Sequence, residues 1–219
     1  GVGVVVAGPD QARLEHLGHQ LRAEDQGDDG HAGNPLNPDG GSSTAYLWER
    51  ILQRDTWLEI LQKFVFLKKE TVEDEHGRSR RKSTLIFPRF HQWEAVTTML
   101  AAVREEGAGK SYLIEHSAGS GKTNTIAWTA HRLLSTYGAD EQRVFDSVIV
   151  VTDRTVLDDQ LQEAVRQIER TSGTVVAVDR KNLGGEATSK SALVKQTLLQ
   201  GNRIIVVTLQ TFPAVLELL

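Results

Sequence analysis

Seven residues, Ser117 to Thr123, read SAGSGKT and stand between a short apolar strand pattern, YLIEH (112–116), and an amphipathic stretch that begins at Lys122. A strand that turns through two glycines directly into a helix leaves few folds open. Gly119 and Gly121 allow backbone turns and a close approach that a Cβ would block, and the following helix offers its unpaired N–H groups at the bend. A polyphosphate needs several such donors in one concavity, a cation that reaches its outer phosphates, and a hydroxyl for the accompanying metal ion. Lys122 is read as that cation, spanning β- and γ-phosphates, and Thr123 as the magnesium ligand. Ser117, Gly119, Ser120 and Gly121 form the cradle, so ATP and Mg2+ are the expected cofactors. His116 occupies the place where the common G-x-x-x-x-G-K-[ST] pattern has its first glycine.

The flanking sequence repeats the same alternation. Pro88 suits the first turn of a helix in which Trp93, Val96, Met99, Leu100 and Val103 share a face and Gly107 is the stop. The helix after the loop is expected from Lys122 to Tyr137, with Ile126, Ala130, Leu133, Leu134 and Tyr137 inward and Gly138 as its C-terminal glycine. SVIVVT (147–152) and RIIVVT (203–208) are rich in β-branched residues, as suits strands covered on both faces. Between them lie a helix with Leu157, Leu161, Val165 and Ile168, a strand TVVAV (174–178) and a helix SALVKQTLLQ stopped by Gly201. Strand and helix in regular alternation imply an α/β fold with a parallel sheet, right-handed crossovers and helices on its flanks.

Upstream, the organisation changes. Residues 1–40 hold Arg13 and Arg22 against seven acids, so the net charge of −4 is concentrated there. The run 26–43, rich in Gly, Pro, Asn and Asp, cannot bury enough apolar surface to order itself, so 1–43 is expected to be poorly ordered. GVGVVVAG is read as a truncated strand, because its first glycines precede the strand instead of following it. Residues 44–87 form a helical linker in which Leu47, Ile51, Leu52, Leu58, Leu61 and Phe64 fall near helical spacing, with a break near Asp55 and Thr56. KKETVEDEHGRSRRKS (68–83) has no apolar period and is read as a solvated loop or β-ribbon tip; contact of its RSRRK cluster with phosphates is the alternative. Without cysteine there is neither disulfide nor thiolate metal site, which suits a cytoplasmic protein. No apolar run approaches the roughly 18 residues of a membrane helix, and nothing basic precedes GVGVVVAG to make a signal peptide.

Four ordered blocks, FPRFHQWEAV, YLIEHSAGSGKTNTIAW, VFDSVIVVTDRTVLDDQL and IIVVTLQTF, together resemble the first RecA-like motor domain of the restriction (R) subunit of type I restriction enzymes, within the superfamily 2 helicase-like translocases. The linker block GNPLNPDGGSSTAYLWERILQRDTWLEILQKFV is similar to the segment that joins nuclease and motor in that family. The resemblance implies that 88–219 is the first ATP-binding RecA-like motor domain, that His116 is the family's own residue and that Gln92, thirty residues before Lys122, reads adenine through its carboxamide. It also implies that Arg154, Thr208 and Gln210 contact DNA. For each there is a plain alternative: a polar residue on a helix surface for Gln92, a surface arginine for Arg154, a helix N-cap for Thr208 or Thr211. The implied partners are double-stranded DNA and the methyltransferase and specificity subunits of a type I complex. The implied activity is ATP-dependent translocation followed by endonuclease cleavage of unmodified DNA.

Hydrolysis also needs an acid at the end of a neighbouring strand. Asp153 stands at such an end, but Arg154 follows it where a Glu is expected, and RIIVVTLQTF has no acid. The Asp-Glu box, the second motor lobe and the nuclease residues of the resembled family are not seen, so the chain is expected to be a fragment that binds ATP without efficient turnover. A small-molecule kinase or GTPase shares the loop, but no N-K-x-D guanine reader is present. Another superfamily 2 helicase, or a non-catalytic P-loop remnant, are the remaining alternatives.

Overall fold

A computed structural model describes residues 2–7, 18–21, 41–73, 78–117, 119–138, 141–152, 155–169, 173–178, 189–201 and 203–211. In chain order these form β1 (Val2–Ala7), β2 (Gly18–Leu21), a π-helical turn (Leu47–Ile51), α1 (Arg54–Glu59), a second π-helical turn (Ile60–Phe64), β3 (Phe66–Glu73) and β4 (Ser79–Ile86). There follow α2 (Phe90–Glu106), β5 (Ser111–Ile114), α3 (Lys122–Leu134), β6 (Ser147–Thr152), α4 (Thr155–Ile168), β7 (Val175–Ala177), α5 (Lys190–Gln200) and β8 (Arg203–Thr208).

The α/β class expected from the alternation is what the chain adopts. The main sheet has the order β1-β6-β8-β7. Strands β6, β8 and β7 are mutually parallel, with Val148 opposite Ile204 and Val150 opposite Val206. Every residue of β6 is buried, as are five of the six in β8. Alternate residues serve opposite faces. Val148, Val150, Ile204 and Val206 join α2, α3 and α4 in the larger core, whereas Ile149, Val151, Ile205 and Val207 pack with Val178 and Val194 on the α5 side. Such two-sided cover is why these strands read as continuous β-branched runs.

Two pairings depart from a single parallel sheet. β1 adds to β6 in antiparallel register, Val2 opposite Thr152, which makes VGVVVA the strand its composition suggests. β5, the strand before the phosphate loop, pairs in parallel with β2, and not with the main sheet. The hydrogen-bonding partner of a four-residue strand is set by what lies beside it in space, which spacing along the chain does not encode.

Local details also correct the expectations. Pro88 lies outside α2: the helix is capped at Arg89, whose N–H donates to Gln92 Oε1 at 2.9 Å, so the first turn begins beyond it. Its apolar face is buried as expected, together with Phe90, His91, Gln92 and Ala95. Helix α3 stops at Leu134, short of Tyr137 and Gly138. The hydroxyls of Ser135 and Thr136 bond back to the His131 and Arg132 carbonyls and compete with continuation of the helix. Tyr137 therefore lies half exposed beneath the Arg143 guanidinium instead of facing inward.

In the linker the break falls at Leu52 and Gln53, ahead of Asp55, and Gln53 Nε2 donates to the Trp48 carbonyl. Leu47, Leu52, Leu58 and Leu61 are exposed, whereas Ala45, Ile60 and Phe64 are buried. The π-helical turn at 60–64 widens the helix and rotates the apolar face away from the positions that 3.6-residue spacing selects. Phe64 and Phe66 flank Trp128 of α3, whose indole N–H donates to the Phe64 carbonyl at 2.8 Å. Arg132 pairs with Glu59; burial pushes its guanidinium below the ordinary value, opposed by that carboxylate. The linker is thus tied to the helix that follows the phosphate loop. Residues 66–73 and 79–86 pair as an antiparallel ribbon, the β-ribbon alternative for that charged stretch.

Candidate nucleotide-binding site

The loop from β5 to α3 is shaped by its glycines. Gly119 and Gly121 have φ of +79° and +82°, a left-handed conformation in which other L residues are strained. Gly121 is constrained twice, because a Cβ there would stand 2.5 Å from Gln92 Nε2. Its carbonyl accepts the N–H groups of Asn124 and Thr125. Among the described residues, the N–H groups of Lys122 and Thr123 have no such acceptor, so they are the first-turn donors left for an anion. The helix dipole adds positive potential at the same point.

Beneath the loop, two side chains from the first turn of α2 hold its carbonyls. Gln92 Nε2 donates to Ser120 O at 3.0 Å and Gly121 O at 3.1 Å, while its Oε1 accepts from Arg89. His91 Nε2 lies 3.1 Å from the same Ser120 oxygen, and the His91 ring meets the His116 ring edge-on at 5.2 Å. Both His91 and Gln92 are buried. This buried polar layer faces the loop carbonyls away from its mouth and fixes the conformation of Ser120, whose Oγ is itself buried without a hydrogen-bond partner among the described residues.

At the mouth, Lys122 Nζ donates to His116 O at 3.0 Å and Ser117 O at 2.8 Å, which folds the ammonium back over the loop while the residue stays exposed to solvent. Thr123 is half-buried and makes no hydrogen bond to another described residue, so its hydroxyl is available as a ligand. An open cavity of about 540 Å³ adjoins the first turn of α2, lined by Tyr46, Trp57, Phe87, Arg89, Phe90 and Trp93 among others. It is aromatic and large enough for a heterocyclic base.

The fold therefore gathers Gln92, Ser117, Gly119, Ser120, Gly121, Lys122 and Thr123 around one loop. Gln92 is neither on a free helix surface nor turned to solvent: its amide is engaged by loop and cap. Thr208 ends β8 beside Thr152 at the end of β6, buried, with its Oγ1 3.1 Å from Thr211 Oγ1. The Leu209 N–H donates to the Thr152 carbonyl and Thr211 N–H to the Thr208 carbonyl, forming a tight turn that leaves Gln210 exposed. Arg154, and Asp153 before it, lie outside the described residues. No group of three or more His, Asp or Glu capable of holding a metal ion exists among the described residues. His91 and the aromatic wall were not singled out by sequence reasoning; position 91 adjoins Gln92 at the capped helix start, which is the one local signal for it. No helix among the described residues is long and apolar enough to cross a membrane.

Comparison with known proteins gives two findings. The family model described as SWI2/SNF2 ATPase matches residues 91–217, from the buried His91 through the turn after β8. A protein of Methanocaldococcus jannaschii named as a type I restriction enzyme MjaVIIP endonuclease subunit is 31% identical over 122 residues, covering 54% of this chain and 10% of that protein. The chain thus spans about a tenth of the relative's length, and the resemblance carried by the four sequence blocks is matched by a relative bearing that name. No solved structure matches.

Proposed function

The chain belongs to the SWI2/SNF2 ATPase family, and from that premise we propose that residues 88–219 form the ATP-gripping lobe of a DNA translocase in a cytoplasmic type I restriction complex. The observation that carries this reading is the loop at 117–123, where left-handed glycines, two unpaired helix N–H groups and an inturned Lys122 converge on one concavity. In this proposal Gly119, Ser120, Gly121 and Lys122 hold phosphate, Thr123 holds magnesium, and Gln92 reads adenine only by exchanging its present bonds to Ser120 O and Gly121 O for the base edge. When bound, ATP with magnesium supplies a phosphoanhydride whose cleavage is coupled to movement along DNA. The protein's own contribution is positional: His91 and Gln92 pin the loop carbonyls so that its N–H groups point outward, and Lys122 must give up two carbonyl contacts to meet a phosphate. Arg154, Thr208 and Gln210 are assigned to the DNA strand, and the methyltransferase and specificity subunits to the surrounding complex.

A non-catalytic remnant is the second reading. It draws on the same geometry, because Lys122 and Gln92 already satisfy the loop's own carbonyls. Titration of a fluorescent ATP analogue at moderate salt with magnesium separates the two. Saturable binding, displaced better by ATP than by GTP, supports the first reading; no saturable binding supports the remnant, and preferential displacement by GTP supports a guanine nucleotide site. The isolated chain is expected to turn over ATP negligibly, so magnesium-dependent hydrolysis that vanishes in Lys122→Ala would overturn the assignment of this chain to nucleotide grip alone.

A further inference from the structure

The β3–β4 ribbon is charged by strand. All acids of this stretch, Glu70, Glu73, Asp74 and Glu75, precede Gly77, whereas Arg78, Arg80, Arg81 and Lys82 follow it with no acid before Glu94. The two strands also differ in their surroundings. β3 leans on α4, where Gln167 Nε2 donates to the Lys69 carbonyl, while β4, which among the described residues pairs only with β3, is exposed from Ser79 to Ser83. Charge on an edge strand is ordinarily protection against edge-to-edge pairing, for which lysines suffice. Here one carboxylate, Glu70, is shared by Lys68 at 2.8 Å and Lys82 at 3.8 Å, which leaves a net positive charge on that face. Arg80 and Arg81 take part in no ion pair among the described residues.

Register places these cations on both faces. Lys82 is opposite Glu70 and Arg80 opposite Val72 on one face; Arg81 is opposite Thr71 on the other, two residues from Lys69. A two-stranded ribbon is one of the shapes that a DNA major groove admits, and a guanidinium is a bidentate partner for phosphate. Cations on both faces suit a groove with a phosphate wall on each side.

We propose that the β3–β4 ribbon, through Arg80, Arg81 and Lys82, is a contact for the phosphates of a DNA duplex. The ribbon meets α4 near its C-terminal end, at Gln167, about 20 Å along that helix from its start at Thr155. It is a contact separate from those assigned to Arg154, Thr208 and Gln210, and it rests on the translocase reading only for the choice of DNA as its polyanion.

The test is fluorescence anisotropy of a labelled duplex of about 30 base pairs, roughly 100 Å long, with the full chain at several salt concentrations. Arg80→Ala, Arg81→Ala and Lys82→Ala are combined in one variant, and Lys63→Ala, Lys110→Ala and Lys195→Ala in a second that removes equal charge from exposed sites elsewhere. The ribbon variant is expected to bind at least about tenfold more weakly near 0.1 M salt and to lower the slope of log affinity against log salt by about 2.7, roughly 0.9 for each lost phosphate contact. The second variant should stay close to the parent, and all three proteins should melt alike. Equal losses in both variants, no loss in either, or a parent chain that does not bind the duplex would overturn the proposal. So would displacement of the duplex by polyglutamate at equal charge, which would reassign the ribbon to an acidic polypeptide. ATP-analogue binding, measured on the same samples with Lys122→Ala, reports on the nucleotide reading independently: its failure would leave the ribbon result standing.

Discussion

Gly121→Ala is the substitution whose cost the loop geometry defines most closely. At φ +82° an alanine carries about 1–2 kcal/mol of left-handed strain. Its Cβ would also stand 2.5 Å from Gln92 Nε2, so the carboxamide must move. Two bonds to Ser120 O and Gly121 O are then lost or lengthened, at about 0.5–1.5 kcal/mol each. The expected destabilisation is about 2–5 kcal/mol. Gly119→Ala is the internal reference, since φ is nearly the same at +79° but nothing lies within 4 Å of its Cβ. It should cost only the strain, about 1–2 kcal/mol. Urea unfolding followed by fluorescence of the four tryptophans measures both. In a Gln92→Ala background the clash is gone, and the Gly121→Ala cost should fall to that of Gly119→Ala. Equal costs for the two glycines in the parent, or no relief in the Gln92→Ala background, would refute the claim that Gln92 braces the loop.

Three further outcomes are expected. Trp128→Phe keeps a ring between Phe64 and Phe66 but leaves the Phe64 carbonyl without its indole donor; urea unfolding should show a loss of about 1–3 kcal/mol. His91→Phe removes one of the two side chains on Ser120 O and should weaken ATP-analogue binding about fivefold, equivalent to about 1 kcal/mol, without abolishing it. Tyr112 is pushed up to about 12 by burial, with the Glu106 carboxylate contributing, so its folded pKa lies above the unfolded one. The stabilisation linked to it is full below about pH 10 and is lost as pH rises toward 12; in denaturation profiles Tyr112→Phe should flatten that alkaline decline.

What the sequence made legible follows from physics that is local. β6 and β8 could be read because burial on both faces demands β-branched runs, and the loop because only glycine accepts φ near +80° beside Gln92. The buried face of α2 followed from its spacing. The misreadings share a different origin. Leu61 falls near helical spacing with Phe64, but both sit in a π-helical turn that buries Phe64 and leaves Leu61 exposed, and nothing in their own side chains announces it. Tyr137 was expected in α3, yet Ser135 and Thr136 end the helix through hydroxyl bonds that compete with its continuation. β5 pairs with a segment some ninety residues away in sequence, and His91 and Gln92 acquire their partners only when α2 packs under the loop. Long-range contact decides these, and the pattern of one segment cannot carry it.

The account's central claim is that Lys122 and the loop around it grip ATP. Isotherms of a fluorescent ATP analogue with magnesium, recorded for the parent chain and for Lys122→Ala, test it directly. A charge-assisted bond to phosphate contributes about 1.5–3 kcal/mol, so Lys122→Ala should bind roughly 10- to 150-fold more weakly. Superimposable isotherms for the two proteins, or no saturable binding by the parent, would contradict it.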